Sequence, residues 1–92
     1  MYKSKTMTLI DGDFSSDEAF ELLRNLYSSK IQFHELKNYS SKERVGKEDE
    51  IAMKRISELK ESLESILIVI KEASKGENRI EIKSVIDISF VK

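Results

Sequence analysis

A heptad pattern of apolar residues in the second half of the chain constrains its fold more than any other feature. Spacings of four and three alternate along this stretch, at Ala52, Ile56, Leu59, Leu63, Ile66, Ile70 and Ala73. Such spacing keeps one apolar stripe along an α-helix. Lys75 and Gly76 at its end are typical of a helix C-terminus. The pattern predicts a helix over residues 47–75, with Ser40 and Glu43 offering an alternative start near Ser41.

This helix is longer than a compact chain of its size can enclose. About 29 residues of α-helix measure ~43 Å, whereas a compact globule of 92 residues has a diameter of roughly 30 Å. The apolar stripe therefore packs on a second long helix of the same chain or on another chain. We favour packing within the same chain, against an earlier helix, through Ile56, Leu59, Leu63 and Ile66.

Three further elements are predicted from local patterns. β-branched residues favour a strand over residues 3–10, after which Asp11, Gly12 and Asp13 read as a turn. Ser15 and Glu18 form a capping-box pattern, and two neighbouring apolar stripes follow it. The first stripe holds Phe20, Leu23, Tyr27, Ile31 and His34, and the second holds Leu22, Leu26, Phe33 and Leu36. They predict a helix over residues 16–37, wide enough in its apolar face to contact two elements, with a turn at residues 38–42.

The last segment alternates apolar and polar residues and predicts a half-buried strand over residues 79–91. Its apolar side holds Ile80, Ile82, Ile86, Ile88 and Phe90. The order β-α-α-β makes residues 1–92 a single α+β domain. We expect a long antiparallel helical hairpin packed on a small antiparallel sheet formed by the N- and C-terminal strands. Since a two-stranded sheet is marginal in water and leaves free edges, we also expect a homodimer that extends the sheet across a two-fold axis.

Composition excludes several classes of function. The formal net charge is −1, which gives no global attraction to nucleic acid or to an anionic membrane. The chain has no cysteine, which removes disulfides, thiol catalysis and thiolate metal sites. The longest apolar run, Ile66–Ile70, is far shorter than the roughly 20 residues of a membrane span. We expect a cytoplasmic protein without a membrane segment or a cofactor.

The beginning of the chain carries two further features. Met7 is an alternative start, so residues 1–6 are either native or an extension. The stretch from Ile10 to Ser15 resembles those of small bacterial proteins, which implies a bacterial source and no particular activity.

The sequence contains no recognisable set of catalytic or metal-binding residues. His34 is the one histidine, and it continues an apolar helix stripe, which favours a histidine at the edge of the hairpin over a general base. Four acidic residues cluster around Gly12, namely Asp11, Asp13, Asp17 and Glu18, but their spacing does not match a calcium loop. Turn formation and helix capping account for them. We therefore predict no catalytic, cofactor or metal residues.

One local concentration of positive charge remains as a candidate site. It lies around the predicted turn between the helices, at Lys37, Lys42, Arg44 and Lys47. These residues could contact phosphate groups, although the acidic residues at positions 48–50 follow immediately. A solvated loop is the interpretation that we favour, and nucleic acid is an unlikely partner.

These observations lead to a functional expectation based on assembly. We expect a non-enzymatic interaction or regulatory protein that acts through a homo-oligomeric helical hairpin, with itself and an unidentified protein as partners. The alternatives are a nucleic-acid-binding accessory protein that uses Lys37–Lys47, and a small enzyme that uses His34 or the Asp11 and Asp13 pair.

Overall fold

The computed structural model of the protein describes residues 4–91. It contains strand β1 (Ser4–Phe14), helix α1 (Ser16–Val45), helix α2 (Glu50–Lys75) and strand β2 (Ile80–Ser89). The helices form an antiparallel hairpin, and β1 pairs with β2 in an antiparallel ribbon. The predicted α+β fold with the order β-α-α-β is confirmed. The predicted beginning of the first strand, Lys3, lies outside the described residues.

The helices meet along the heptad stripe of α2. Ala52, Ile56, Leu59 and Ile70 are buried, and the other heptad positions are half-buried. On α1 the inward positions are Ala19, Leu23, Tyr27, Ile31, His34, Asn38 and Ser41. We call this contact the helical seam. The prediction that the stripe packs on a helix of the same chain is confirmed.

Helix α1 is longer than predicted, because the stretch 38–42 is helical rather than a turn. The polar side chains there bond to the interhelical loop. The Asn38 Oδ1 atom accepts the Asp49 backbone N–H at 2.7 Å, and the Ser41 hydroxyl donates to the Lys47 carbonyl at 2.9 Å. These contacts outweigh the low helix propensity of Asn and Ser. The predicted end at Lys37 is therefore wrong.

The hairpin turns at Gly46, which ends α1 in a left-handed conformation with φ 70°. Such a conformation suits glycine, which has no Cβ to clash. Asp49 then caps α2, since its side chain accepts the Ala52 N–H at 3.0 Å. Of the two predicted starts for this helix, the one after Gly46 is correct, although the first helical residue is Glu50 rather than Lys47.

Strand β1 is also longer than predicted, because Asp11, Gly12 and Asp13 pair with β2 rather than form a turn. The ladder of backbone bonds to β2 outweighs their turn preference. The predicted capping box is confirmed directly after the strand. The Ser15 hydroxyl accepts the Glu18 N–H at 3.1 Å, and the Ser15 N–H donates to a Glu18 carboxylate oxygen at 2.9 Å, which lowers the pKa of Glu18.

A β-bulge at Leu9 sets the faces of the ribbon. Thr8 pairs with Val85 and Ile10 with Ser84, so Leu9 is an inserted residue without a partner on β2. Residues that lie opposite each other on the two strands share a face, so the pairing assigns the paired residues to the two faces of the ribbon. Its inner face, toward the helices, holds Lys5, Met7, Ile10, Phe14, Ile80, Ile82, Ser84, Ile86 and Ile88. Its outer face holds Thr6, Thr8, Asp11, Asp13, Glu81, Lys83, Val85 and Asp87.

The molecule is elongated and flat. Its Cα atoms extend over 50 × 37 × 14 Å with a radius of gyration of 16.6 Å, against ~12 Å for a compact chain of this length. Burial follows this shape. Ile10 is buried, Phe14, Ile80 and Ile82 are half-buried, and the apolar residues farther along the ribbon are exposed.

Two isoleucines of α2 test the helical seam. Ile56 is 8% exposed in the seam, whereas Ile68 is 65% exposed on the opposite side of the same helix. Ile56→Ala should lower the free energy of unfolding by about 2–5 kcal/mol, since it leaves a cavity. The matched Ile68→Ala should change it by about 0.5 kcal/mol or less. Urea unfolding followed by circular dichroism measures both, and equal losses would show that the wrong face was assigned.

Candidate interaction surface

An open apolar groove lies between the ribbon and the helices. Its volume is about 620 Å³, and its walls are Leu9 and Ile86 from the ribbon, Leu26, Tyr27, Ser29, Lys30 and Phe33 from α1, and Leu59 from α2. We call it the apolar groove. The bulge at Leu9 and the pairing of β2 place the two ribbon residues on the helix side. The helical spacing of Leu26, Lys30 and Phe33 places them along one side of α1.

Large apolar side chains in the groove remain in contact with water. Phe33 is 53% exposed and Ile86 is 41% exposed. Met7 and Ile88 continue this surface along the ribbon, and Leu36 continues it along α1, all of them exposed. Singly exposed apolar residues are ordinary, but a contiguous patch marks a surface for binding.

Basic side chains lie against the Phe33 ring. The Lys30 Nζ atom is 5.2 Å and the Lys37 Nζ atom 5.9 Å from the ring centroid. Both distances are within the range of cation–π contacts. The centroid of the His34 ring lies 5.2 Å from that of Phe33, in an edge-on arrangement. The phenyl ring of this groove residue thus has both cationic and aromatic neighbours.

The four predicted basic site residues are only partly brought together. Lys37 and Arg44 line an open depression of about 550 Å³ with Ser40, Ser41, Glu43 and Asp49. Lys42 instead forms an ion pair with Glu48 at 3.4 Å. Lys47 lies in the interhelical loop and lines a neighbouring depression with residues 48–51. Because carboxylates stand beside each basic residue, this surface has no strong positive field.

His34, predicted to lie at the edge of the hairpin, is buried in the helical seam. Its side chain is nine-tenths buried, and its Nε2 atom has no hydrogen-bond partner among the described residues. Loss of contact with water is the main cause that lowers the pKa of His34 below its usual 6.5. The positive charges of Lys30, Arg55 and Lys37 lower it further, while Asp49 raises it.

The carboxylates suggested for an enzyme are not arranged around a cavity. Asp11 and Asp13 lie on the outer face of the ribbon, opposite Lys83 and Glu81 respectively. Within residues 4–91 no group of three or more His, Asp or Glu side chains is placed to hold a metal ion. Over the same residues, neither helix is apolar enough over a sufficient length to cross a membrane.

The apolar groove was not anticipated as a site, although the sequence carried a signal for it. The second stripe of α1, with Leu26, Phe33 and Leu36, is more apolar surface than the seam with α2 can cover. A stripe of this kind indicates that another surface covers it. It does not reveal that the ribbon of the same chain covers only part of it.

Comparison with known proteins adds no assignment. No protein-family model matches the sequence, and we found no curated protein and no solved structure that is similar to the chain.

The burial of His34 predicts a pH dependence of stability. Because the pKa of His34 is lower in the folded state, the unfolded chain binds a proton first as the pH falls below about 6.5. The free energy of unfolding should therefore be highest above this pH and decrease between about pH 7.5 and 5. Urea unfolding at about pH 7.5 and at about pH 5 measures this decrease in the free energy of unfolding.

The matched variant is His34→Leu, which keeps an apolar residue in the seam and removes the titrating ring. It should lose most of the decrease over this range. An unchanged decrease in the variant would mean that other groups cause it.

Proposed function

We propose that the protein is a non-enzymatic interaction module that acts as a homodimer, in which a second copy covers the apolar surface around the groove. The observation that carries this proposal is the amount of exposed surface. The solvent-accessible area of the chain is 7661 Å², whereas a folded monomer of 10.7 kDa is expected to expose ~5,500 Å².

The excess is of the size that a stable assembly requires. It amounts to roughly 2,000 Å² for each chain, and specific dimers commonly bury about 800 Å² or more on each partner. The exposed residues are also of the right kind, because aromatic, aliphatic and methionine side chains are enriched at the centres of interfaces. Phe33, Ile86 and Met7 are such residues.

Charge supports a second copy as the occupant. With a net charge of −1, two chains approach each other without appreciable long-range repulsion. A strongly acidic or basic partner would need a field of the opposite sign, and the groove has only Lys30 and Lys37 at its edge. No observation favours the alternative of nucleic-acid binding through Lys37, Lys42, Arg44 and Lys47, since the neighbouring carboxylates offset these charges.

Measurement of the molecular mass tests the proposal. Sedimentation velocity and light scattering at micromolar concentration should give twice the 10.7 kDa of one chain. Ile86→Glu should shift the protein to a monomer, because it places a charge in the interface without a buried partner. Its circular dichroism spectrum should stay that of the parent, since Ile86 is partly exposed in the single chain.

The matched control is Ile68→Glu, which introduces the same charge on the side of α2 away from the seam. This variant should remain a dimer. A monomeric wild-type protein would refute the proposal. Dissociation by Ile68→Glu but not by Ile86→Glu would place the interface on the outer side of α2 and would also contradict it.

A further inference from the structure

Strand β2 has a regular edge that pairs with no other strand among residues 4–91. We propose that two copies of the chain pair through this edge, antiparallel, with Val85 of one copy opposite Val85 of the other. This gives a four-stranded sheet with all four helices on one face. The inference rests on the proposed homodimer and specifies how the two copies meet.

The two edges of the ribbon are not equivalent. The outer edge of β1 is interrupted by the bulge at Leu9 and contains Gly12. Bulges bend a strand and are a common device that blocks pairing at a sheet edge. Strand β2 runs from Ile80 to Ser89 without an inserted residue, glycine or proline. It is therefore the edge on which another strand can form a continuous ladder.

Symmetry restricts how two β2 strands can pair. A two-fold axis perpendicular to the sheet joins like edges and closes the assembly, whereas pairing of β1 with β2 of another copy would continue into a filament. The axis must pass midway between the two copies of one residue, which then lie opposite each other. To pair nearly the whole of Ile80–Ser89, that residue must be Ser84 or Val85, at the middle of the strand.

Charge on the outer face distinguishes these two registers. With Ser84 on the axis, Glu81 would lie opposite Asp87 of the second copy, which places like charges together twice. With Val85 on the axis, Lys83 lies opposite Asp87 of the second copy, which places opposite charges together twice. Directly opposed residues in a sheet are close enough for such pairs to favour one register over the other.

The apolar residues agree with the register centred on Val85. On the inner face, Ile82 lies opposite Ile88 of the second copy, and Ser84 lies opposite Ile86. Ile88 and Ile86, which are exposed in the single chain, thereby gain neighbours on the side of the helices. On the outer face, Lys83 is placed between Asp11 of its own ribbon and Asp87 of the second copy.

The absence of cysteine from the chain allows a direct test by disulfide formation. In an antiparallel pair, opposed Cα atoms are about 4.5–5.5 Å apart, a separation that a disulfide spans. Val85→Cys should therefore form a covalent dimer on mild oxidation. Glu81→Cys is the matched control on the same face, since the two cysteines would be roughly 26 Å apart and should not join.

Mixing of charge variants tests the same register independently. In a homodimer of Lys83→Asp, two pairs of acidic residues lie opposite each other. In a homodimer of Asp87→Lys, two pairs of basic residues do so. A mixed dimer opposes only unlike charges. If each homodimer is weakened about tenfold, heterodimers should form about nine-tenths of an equal mixture rather than half. Native mass spectrometry counts the homodimers and heterodimers. A change of stability within a single ribbon affects both kinds of dimer equally and therefore does not alter their ratio.

The outcomes separate this inference from the proposed homodimer. A wild-type dimer with a Val85→Cys disulfide and preferred heterodimers supports both. If the wild-type protein is a dimer, three results would overturn the register and leave the homodimer standing. These are failure of Val85→Cys to form a disulfide, equally efficient disulfide formation by Glu81→Cys, and random mixing of the charge variants. A wild-type monomer overturns both.

Discussion

The antiparallel seam between α1 and α2 is the contact on which the rest of the structure depends. Helices of 30 and 26 residues are about 45 and 39 Å long, and they meet along the heptad stripe of α2. Among residues 4–91, every buried residue except Ile10 lies on one of these two helices. The ribbon lies on this pair as a second layer, and the 14 Å thickness of the Cα trace leaves room for no third layer.

Two layers of this length produce a narrow core. The buried apolar residues lie in a line, and among residues 4–91 no large side chain is fully enclosed. The most buried side chains are those of Ala19 and Ala52 in the helices, and within the described part of the ribbon only Ile10 is buried. Elsewhere the same apolar stripes reach the surface. The exposed groove and the stable hairpin are thus consequences of one geometry, in which the helices are too long for the ribbon to cover.

The sequence predicts those parts of the fold that depend on local spacing. The heptads from Ala52 to Ala73, the capping box at Ser15 and the end of α2 near Gly76 follow from the order of residues along one element. The errors occur where a distant contact decides. Asn38 is helical because its side chain accepts a bond from Asp49, and Asp11–Asp13 are extended because β2 lies alongside.

In the candidate site too, the sequence predicts what depends on local spacing and misses what depends on distant contacts. The second stripe of α1 indicates that Leu26 and Phe33 need a cover, but the extent of the cover depends on where the ribbon crosses. The basic residues from Lys37 to Lys47 form a concentration in the sequence. Glu43 already stands between Lys42 and Arg44 in the sequence. The hairpin turn then brings Glu48 beside Lys42, and Asp49 beside Lys37 and Arg44.

The inserted residue Leu9 connects the fold to the surfaces that remain available. Met7 and Ile10 are three positions apart, so a regular strand would place them on opposite faces. The insertion places both on the inner face, where Leu9 itself lines the groove. The same bulge interrupts the edge of β1 while β2 remains regular. A ribbon with two regular edges would permit pairing in both directions and growth into filaments. With one edge interrupted, pairing between like edges closes after two copies, so the residue that completes the apolar face also limits how that face can assemble.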